Sequence, residues 1–449
     1  MNRNALKTLE SWKDLPARKP LVVEGAPRVG KTTLLLEFGQ QEFEAVARVD
    51  LAADEDARRA LQEEQNPDHL LALIGALTGT DPLDGSTLVL LDDVQECPHA
   101  IAALGPLLDT HPEVPVIACG TGLRTAMARC QRSGNAPSSW SAGKAMHLCI
   151  HPLAFDEFVE AAGNGQLAQI LREGDLEIAG SLSERYLELL KAYIYVGGMP
   201  EAVEAYLAAE PEHDQVAALS AAREAQTGLL ARIEDGFNHL APSTLQAERI
   251  RQMWRAAPGQ LAREGGNKRF IFAGVSPGAR GRDYRTALAW LEDAGLVTRV
   301  AKVSEPVRPL RDREDPHYFK LYLVDVGLLG AATDLEAAIL GEGDRVFLEH
   351  AGAYAEQYVC QQLVASNLCT PCYWAADGKR EKGKVDFVYE YDGVVYPLEV
   401  RPAGDGTGIG AAALAERYGL EGALRLSLSP AREDGLLLNL PLWAANLLP

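Results

Sequence analysis

The chain has 449 residues, too many for one ordinary core, and 47% of them are hydrophobic, which permits sizeable cores and excludes wholesale disorder. A formal net charge of −20 argues against general attraction to nucleic acid unless one local surface is basic. No apolar run approaches the ~18 residues of a membrane span, the N-terminus has no signal-peptide core, and an odd count of seven cysteines argues against a disulfide framework. The expectation is a cytoplasmic protein of several domains, with no membrane partner.

Taken in chain order, short apolar runs alternate with helix-like stretches over residues 1–151, the pattern of a parallel α/β sheet. Candidate strands are Leu21–Glu24, Ala45–Asp50, Thr87–Leu91, Val114–Cys119 and Ala145–Ile150. After the first of them stands Gly25-Ala26-Pro27-Arg28-Val29-Gly30-Lys31-Thr32, followed by Thr33 and a helix-like run. This is the G-x-x-x-x-G-K-[ST] pattern in its proper strand–turn–helix setting. Glycines let the backbone wrap around phosphate, and the helix adds the positive end of its dipole. Gly25 to Thr33 are therefore the expected ATP-binding residues, with Lys31 on the β- and γ-phosphates and Thr32 on Mg²⁺.

The run Leu88-Val89-Leu90-Leu91 ends in Asp92-Asp93. A buried strand ending in a carboxylate puts Asp92 at the sheet edge as the second Mg²⁺ ligand. Asp93 takes the place of a general base, one methylene shorter than Glu, or is a solvated strand-end acid. The next strand ends in Cys119-Gly120-Thr121, where the Thr121 hydroxyl either senses the γ-phosphate or caps the following helix.

From Pro152 to about residue 242 the strand signal gives way to helical spacing of Leu182, Tyr186, Leu189, Leu190 and Tyr193. Between 243 and 305, Tyr284, Ala287, Leu288 and Leu291 line one face of an amphipathic helix that Gly295 stops, with Leu296–Val303 as a β wing. This stretch resembles a winged helix, a fold that can place a helix in a DNA groove. From Ser243 to Lys320 there are 15 Lys/Arg against 9 Asp/Glu, and Arg280, Arg282 and Arg285 cluster at the helix entry. DNA is thus a candidate partner, and a protein partner is the alternative.

Residues 306–449 combine a helix carrying Glu356 with a hairpin turning at Asp392-Gly393, and end the second hairpin strand in Glu399-Val400-Arg401. The glycine-rich stretch Pro402–Gly410 reads as a loop. Cys369 and Cys372 have C-x-x-C spacing, but a zinc site needs about four ligands and no second pair exists.

On the motifs at Gly25–Thr32, Leu91–Gln95, Cys119–Thr121, Pro152–Phe158 and Gly197–Glu201, the chain resembles a prokaryotic family of AAA+ ATP-binding proteins. The family carries a C-terminal domain of unknown function related to restriction-endonuclease folds. The resemblance implies a P-loop domain (1–151), a helical lid (152–242), a winged-helix-like domain (243–305) and a nuclease-like domain (306–449). It also implies assembly with further copies, for which Arg124 and Arg129 are candidate arginine fingers. Glu356, Asp386 and Glu399 resemble the PD-(D/E)xK arrangement, a candidate second metal site, although Arg401 stands where nucleases carry Lys. The expected function is an ATPase whose nucleotide state arranges the later domains. The alternatives are an ATP-regulated Mg²⁺-dependent DNA nuclease and a protein-partner switch without nucleic-acid activity.

Overall fold

The computed structural model describes all residues except 65, 133–142, 212, 242, 264–267, 368–369, 377–382, 403–409 and 449. Cys369 and most of the 402–410 loop lie outside the described residues, as does the side chain of Arg129. The chain divides into two compact units, Asn2–His151 with Ala289–Leu296, and Pro152–Leu288 with Val297–Pro449. No described helix is long and apolar enough to cross a membrane.

In the first unit, β1 (Leu21–Gly25), β2 (Ala45–Asp50), β3 (Thr87–Asp92), β4 (Val116–Gly120) and β5 (Met146–Ile150) form a sheet of order β2-β3-β4-β1-β5. Every pairing is parallel. β3 and β4 are buried at every residue, as strands covered on both faces must be, which accounts for their unbroken apolar sequence. Val22, Val49, Val89, Leu91, Ile74 and Leu104 meet in one core beneath helices. The chain leaves β1 by the helix Lys31–Glu42, skips two strand positions to β2, and returns through β3 and β4 to lie beside β1. That reversal opens a crevice at the carboxyl ends of β1 and β4, where ligands of open α/β sheets bind.

The second unit begins with helices, among them Phe155–Ala161, Ser183–Val196, Pro200–Ala208 and Gln215–Leu240. Its sheet contains β6 (Val297–Val303), β7 (Glu314–Leu323), β8 (Cys372–Ala375), β9 (Lys384–Tyr391), β10 (Val394–Arg401), β11 (Ala423–Ser427), β12 (Arg432–Asp434) and β13 (Leu437–Pro441). Among the described residues its order is β12-β13-β11-β10-β9-β8-β6-β7, with parallel and antiparallel pairs mixed. The helix Gly281–Asp293 ends in the expected glycine stop, where Gly295 has φ 69 and Leu296 N donates to Leu291 O. The hairpin β6–β7 that follows is no free wing, because β6 also pairs with β8 and thereby continues the C-terminal sheet.

Two sequence markers without phosphate chemistry acquire a structural reason inside this unit. Leu153 N donates to Gly198 O at 2.7 Å, and Gly198 N donates to the buried Asp325 carboxylate at 2.7 Å. A Cβ on Gly198 would lie 2.2 Å from Leu153 O, and one on Gly197 (φ 76) would lie 2.1 Å from Asp325 Oδ1. Asp325 also accepts from Leu328 N and Gln361 Nε2, so the 152–158 and 197–201 motifs join a strand end to two helices through one carboxylate. Burial raises the Asp325 pKa, and these donors work against that rise.

Gly197→Ala therefore adds both a clash and a left-handed alanine, and should cost more than about 2 kcal/mol. Gly174→Ala, at a helix end with open space around it, should cost only about 1 kcal/mol. Urea midpoints followed by circular dichroism compare the two; equal shifts would contradict the packing account.

Candidate nucleotide site and C-terminal charge cluster

Between β1 and the helix Lys31–Glu42 the backbone turns back on itself, with Arg28 at φ 68 and Gly30 at φ 87. A Cβ on Gly25 would lie 2.3 Å from Ile150 O of β5, so the loop can start there only with glycine. Arg3 donates to Val29 O at 3.1 Å and to His151 O at 2.5 Å, tying the loop to the end of β5. At the other end, residues 289–296 reach the same loop, and a Cβ on Gly295 would lie 3.0 Å from Ala26 N. Gly30 precedes the helix without a side-chain cap, leaving the first helical N–H groups, those of Lys31, Thr32 and Thr33, without intrahelical acceptors. Ala26 and Val29 are buried beneath this turn, with Pro27 and Arg28 half-buried or exposed above it.

Lys31 is buried, and its ammonium donates to Gly25 O (3.0 Å), Ala26 O (2.9 Å) and Thr121 Oγ1 (2.9 Å). Thr121 Oγ1 in turn donates to Gly25 O at 2.9 Å. The hydroxyl thus faces the loop, at the end of the strand adjacent to β1, and not the helix that follows. Burial pulls the Lys31 pKa below the ordinary lysine value, while the neighbouring Asp93 and Asp92 carboxylates pull the other way.

Thr32 Oγ1 lies 3.2 Å from Asp92 Oδ1. The other oxygen, Asp92 Oδ2, accepts from Arg48 on β2 at 2.8 Å. Arg48 was not legible as a site residue: its place beside Asp92 follows from β2 pairing with β3, and its one trace is an arginine in an apolar strand. Asp93 has φ 53, a left-handed conformation unusual for a residue with a side chain. Its Oδ1 accepts from Gln95 Nε2 at 2.8 Å, and Gln95 Oε1 accepts from Thr121 N at 3.1 Å. Gln95 therefore links the candidate base to the candidate sensor. It fits because residue 120 is glycine: a Cβ there would lie 2.5 Å from Gln95 Oε1.

These groups suit ATP with Mg²⁺. A loop of open N–H groups and a buried ammonium are matched to polyphosphate, and one hydroxyl with one carboxylate is a usual protein share for an ion that keeps water and phosphate oxygens. Thr32 and Asp92 would hold the ion, which supplies neutralisation of phosphate charge. Cys119, beneath the site, stays a thiol, because burial pushes its pKa up to about 12.

In the second unit the helical segment Arg345–Asn367 breaks at Glu349–Gly352, and Glu356 lies on the turns that follow. β9 and β10 pair with Phe387 opposite Leu398, which brings Asp386 beside the Glu399–Arg401 segment. Glu356, Asp386 and Glu399 are all buried. Each is held by bases. Glu356 pairs with Lys268 (2.9 Å) and Lys320 (3.2 Å). Asp386 pairs with Arg401 (2.8 Å) and Lys384 (3.2 Å), and Glu399 pairs with Arg425 (2.7 Å). The trio expected as a second metal site is thus filled with ammonium and guanidinium groups, and no described group of three or more His, Cys, Asp or Glu is arranged to hold a metal. Cys372 is buried, like most structural thiols.

Residues 17–159 match the family model described as AAA domain, and residues 187–338 match a domain of unknown function (DUF8612). The chain therefore carries an AAA-type P-loop domain. No curated protein matches it. Among solved structures it is similar to the Walker-type ATPase PABY2304 of Pyrococcus abyssi, at 16% identity and TM-score 0.46, covering 74% of this chain and 95% of that one. It is also similar to a Drosophila ORC structure bound to DNA, at 16% identity and TM-score 0.24, covering 74% of this chain and 85% of that one.

A lowered Lys31 pKa has a consequence for binding. The ammonium form is the one polyphosphate selects, so ATP affinity should fall as pH rises through the Lys31 pKa, at a pH below that of an ordinary lysine. Binding in that window should take up a proton, seen as a dependence of calorimetric enthalpy on buffer ionisation heat. A pH-independent affinity up to the ordinary lysine range would contradict the assignment of Lys31.

Proposed function

We propose that this protein binds ATP·Mg²⁺ in the crevice between β1 and β4 and hydrolyses the γ-phosphate slowly. The observation that carries the reading is the Lys31 ammonium, bonded to loop carbonyls and to Thr121 at the place where phosphates would lie. Lys31 and the N–H groups of residues 30–33 bind the triphosphate. Thr32 and Asp92 take Mg²⁺, and Arg48 keeps the Asp92 carboxylate turned toward Thr32. Asp93, oriented by Gln95, accepts the proton of the attacking water, and Thr121 reports the γ-phosphate through the same glutamine.

Residues 289–296, contiguous in sequence with the strand Val297–Val303, lie against the phosphate loop, and Asp293 accepts from Thr125 N at 2.7 Å. Nucleotide state at the loop would thereby bias the segment that leads into the second sheet. Regulation of a DNA or protein partner by ATP is the role this supports. Arg280, Arg282 and Arg285, all exposed, are the candidate phosphate contacts for DNA. Homo-oligomers with Arg124 as a finger in trans belong to the same proposal.

Lys31→Ala should abolish binding of a fluorescent ATP analogue; unchanged binding would defeat the reading. Gln95→Leu should leave nucleotide affinity within about twofold and lower the phosphate-release rate at least about tenfold, since it removes the positioning of Asp93 and the link to Thr121 but no group that binds phosphate or Mg²⁺. Asp93→Asn should lower the same rate further without loss of binding.

A further inference from the structure

The two buried lysines of the C-terminal cluster carry an inference that goes beyond the nucleotide site and does not depend on it. Lys320 Nζ is bounded by Glu356 Oε2 (3.2 Å), Tyr322 Oη (3.4 Å), Asp386 O (3.5 Å) and Asp386 Oδ1 (3.8 Å). On its remaining sides stand aromatic rings, with centroids of Tyr373 at 5.4 Å, Phe387 at 5.7 Å and Tyr322 at 6.0 Å. Lys268 Nζ sits on the other oxygen of the same carboxylate, Glu356 Oε1, at 2.9 Å, and donates to Ala351 O at 3.0 Å. Both ammonium groups are almost wholly enclosed, with side chains 3% and 2% exposed.

The surroundings discriminate between kinds of cation. A hard divalent ion needs about six oxygen ligands and gains little from ring faces in place of lost water. An ammonium is stabilised by both, through hydrogen bonds to oxygens and through the ring quadrupole. Lys268 and Lys320 together supply two positive charges, the charge of one divalent ion. The remaining oxygens are also engaged: Asp386 Oδ2 accepts from Arg401 and Val400 N, and Glu399 Oε1 accepts from Arg425. Asp386 Oδ1 is held by the charge of Lys384 at 3.2 Å.

We infer that Lys268 and Lys320 stand permanently in the place of a divalent cation, so that this nuclease-like carboxylate cluster takes no metal and the sheet cuts no phosphodiester. The lysines lie far apart in sequence, on the segment before Phe270 and on β7. Glu356 Oε2 and Asp386 Oδ1 both face the Lys320 ammonium, at 3.2 and 3.8 Å, so its removal would leave two buried carboxylates turned toward one vacated position.

The test uses the full-length chain without nucleotide and titrates Mn²⁺, with the free-ion signal read by electron paramagnetic resonance. Wild type and Asp386→Asn should give the same Mn²⁺ isotherm. Lys320→Ala should gain one site, binding at least about tenfold tighter than anything in wild type, and Lys320→Ala with Asp386→Asn should lose it. A Lys320→Ala chain that folds only when Mn²⁺ is present would support the inference equally. It is overturned if wild type loses a Mn²⁺ site on Asp386→Asn, or if folded Lys320→Ala gains none. Should Lys320→Ala not fold under any condition, the comparison of wild type with Asp386→Asn still decides.

Discussion

The Lys31 ammonium joins three oxygens at the ends of two adjacent strands, Gly25 O of β1 and Ala26 O just after it, and Thr121 Oγ1 just after β4. Most of what the first unit can do depends on that meeting. It requires β4 to lie beside β1 and the phosphate loop to begin with a residue that has no Cβ against β5. The ammonium's hydrogen-bond partners are neutral, and the nearby Asp93 and Asp92 carboxylates act on it through their charge alone.

The second unit treats a buried lysine in the opposite way. Lys320 and Lys268 meet a carboxylate and, for Lys320, ring faces. Glu356 is held well below the usual carboxylate range, against the effect of its burial, chiefly by Lys268 and Lys320. Removing one partner of such a cluster strands a charge in the interior, so the arrangement is self-locking even if its net contribution to stability is small. The two units thus bury lysines among different oxygens, uncharged ones bonded to Lys31 and a carboxylate bonded to both Lys268 and Lys320.

Asp325 shows how the connecting motifs serve the same architecture without chemistry of their own. A single carboxylate receives Gly198 N, Leu328 N and Gln361 Nε2, and two glycines are required because their Cβ atoms would occupy its place and that of Leu153. Residues that look like family markers in the sequence are here the hydrogen-bonded seam of a helical layer against its sheet.

The five parallel strands, the phosphate loop and the strand-end acids were legible because each is local: an apolar run of strand length, a glycine spacing, a carboxylate at a run's end. The hairpin at Asp392-Gly393 was legible for the same reason, its φ values of 44 and 80 being those that Asp-Gly favours. The roles of Arg48, Gln95, Lys268 and Lys320 were not. Each acts on a partner brought to it by strand order or by a long excursion of the chain, and no periodicity within a segment encodes which strand lies next to which. The sequence by itself determined the five strands of the first sheet, the glycine-spaced turn after the first of them and the acids at the end of the third, while β7, β8 and β11 to β13 of the second sheet carried no such local signal. Only the tertiary structure decided which cation meets which acid, because that depends on distances between segments 36 to 88 residues apart in the chain.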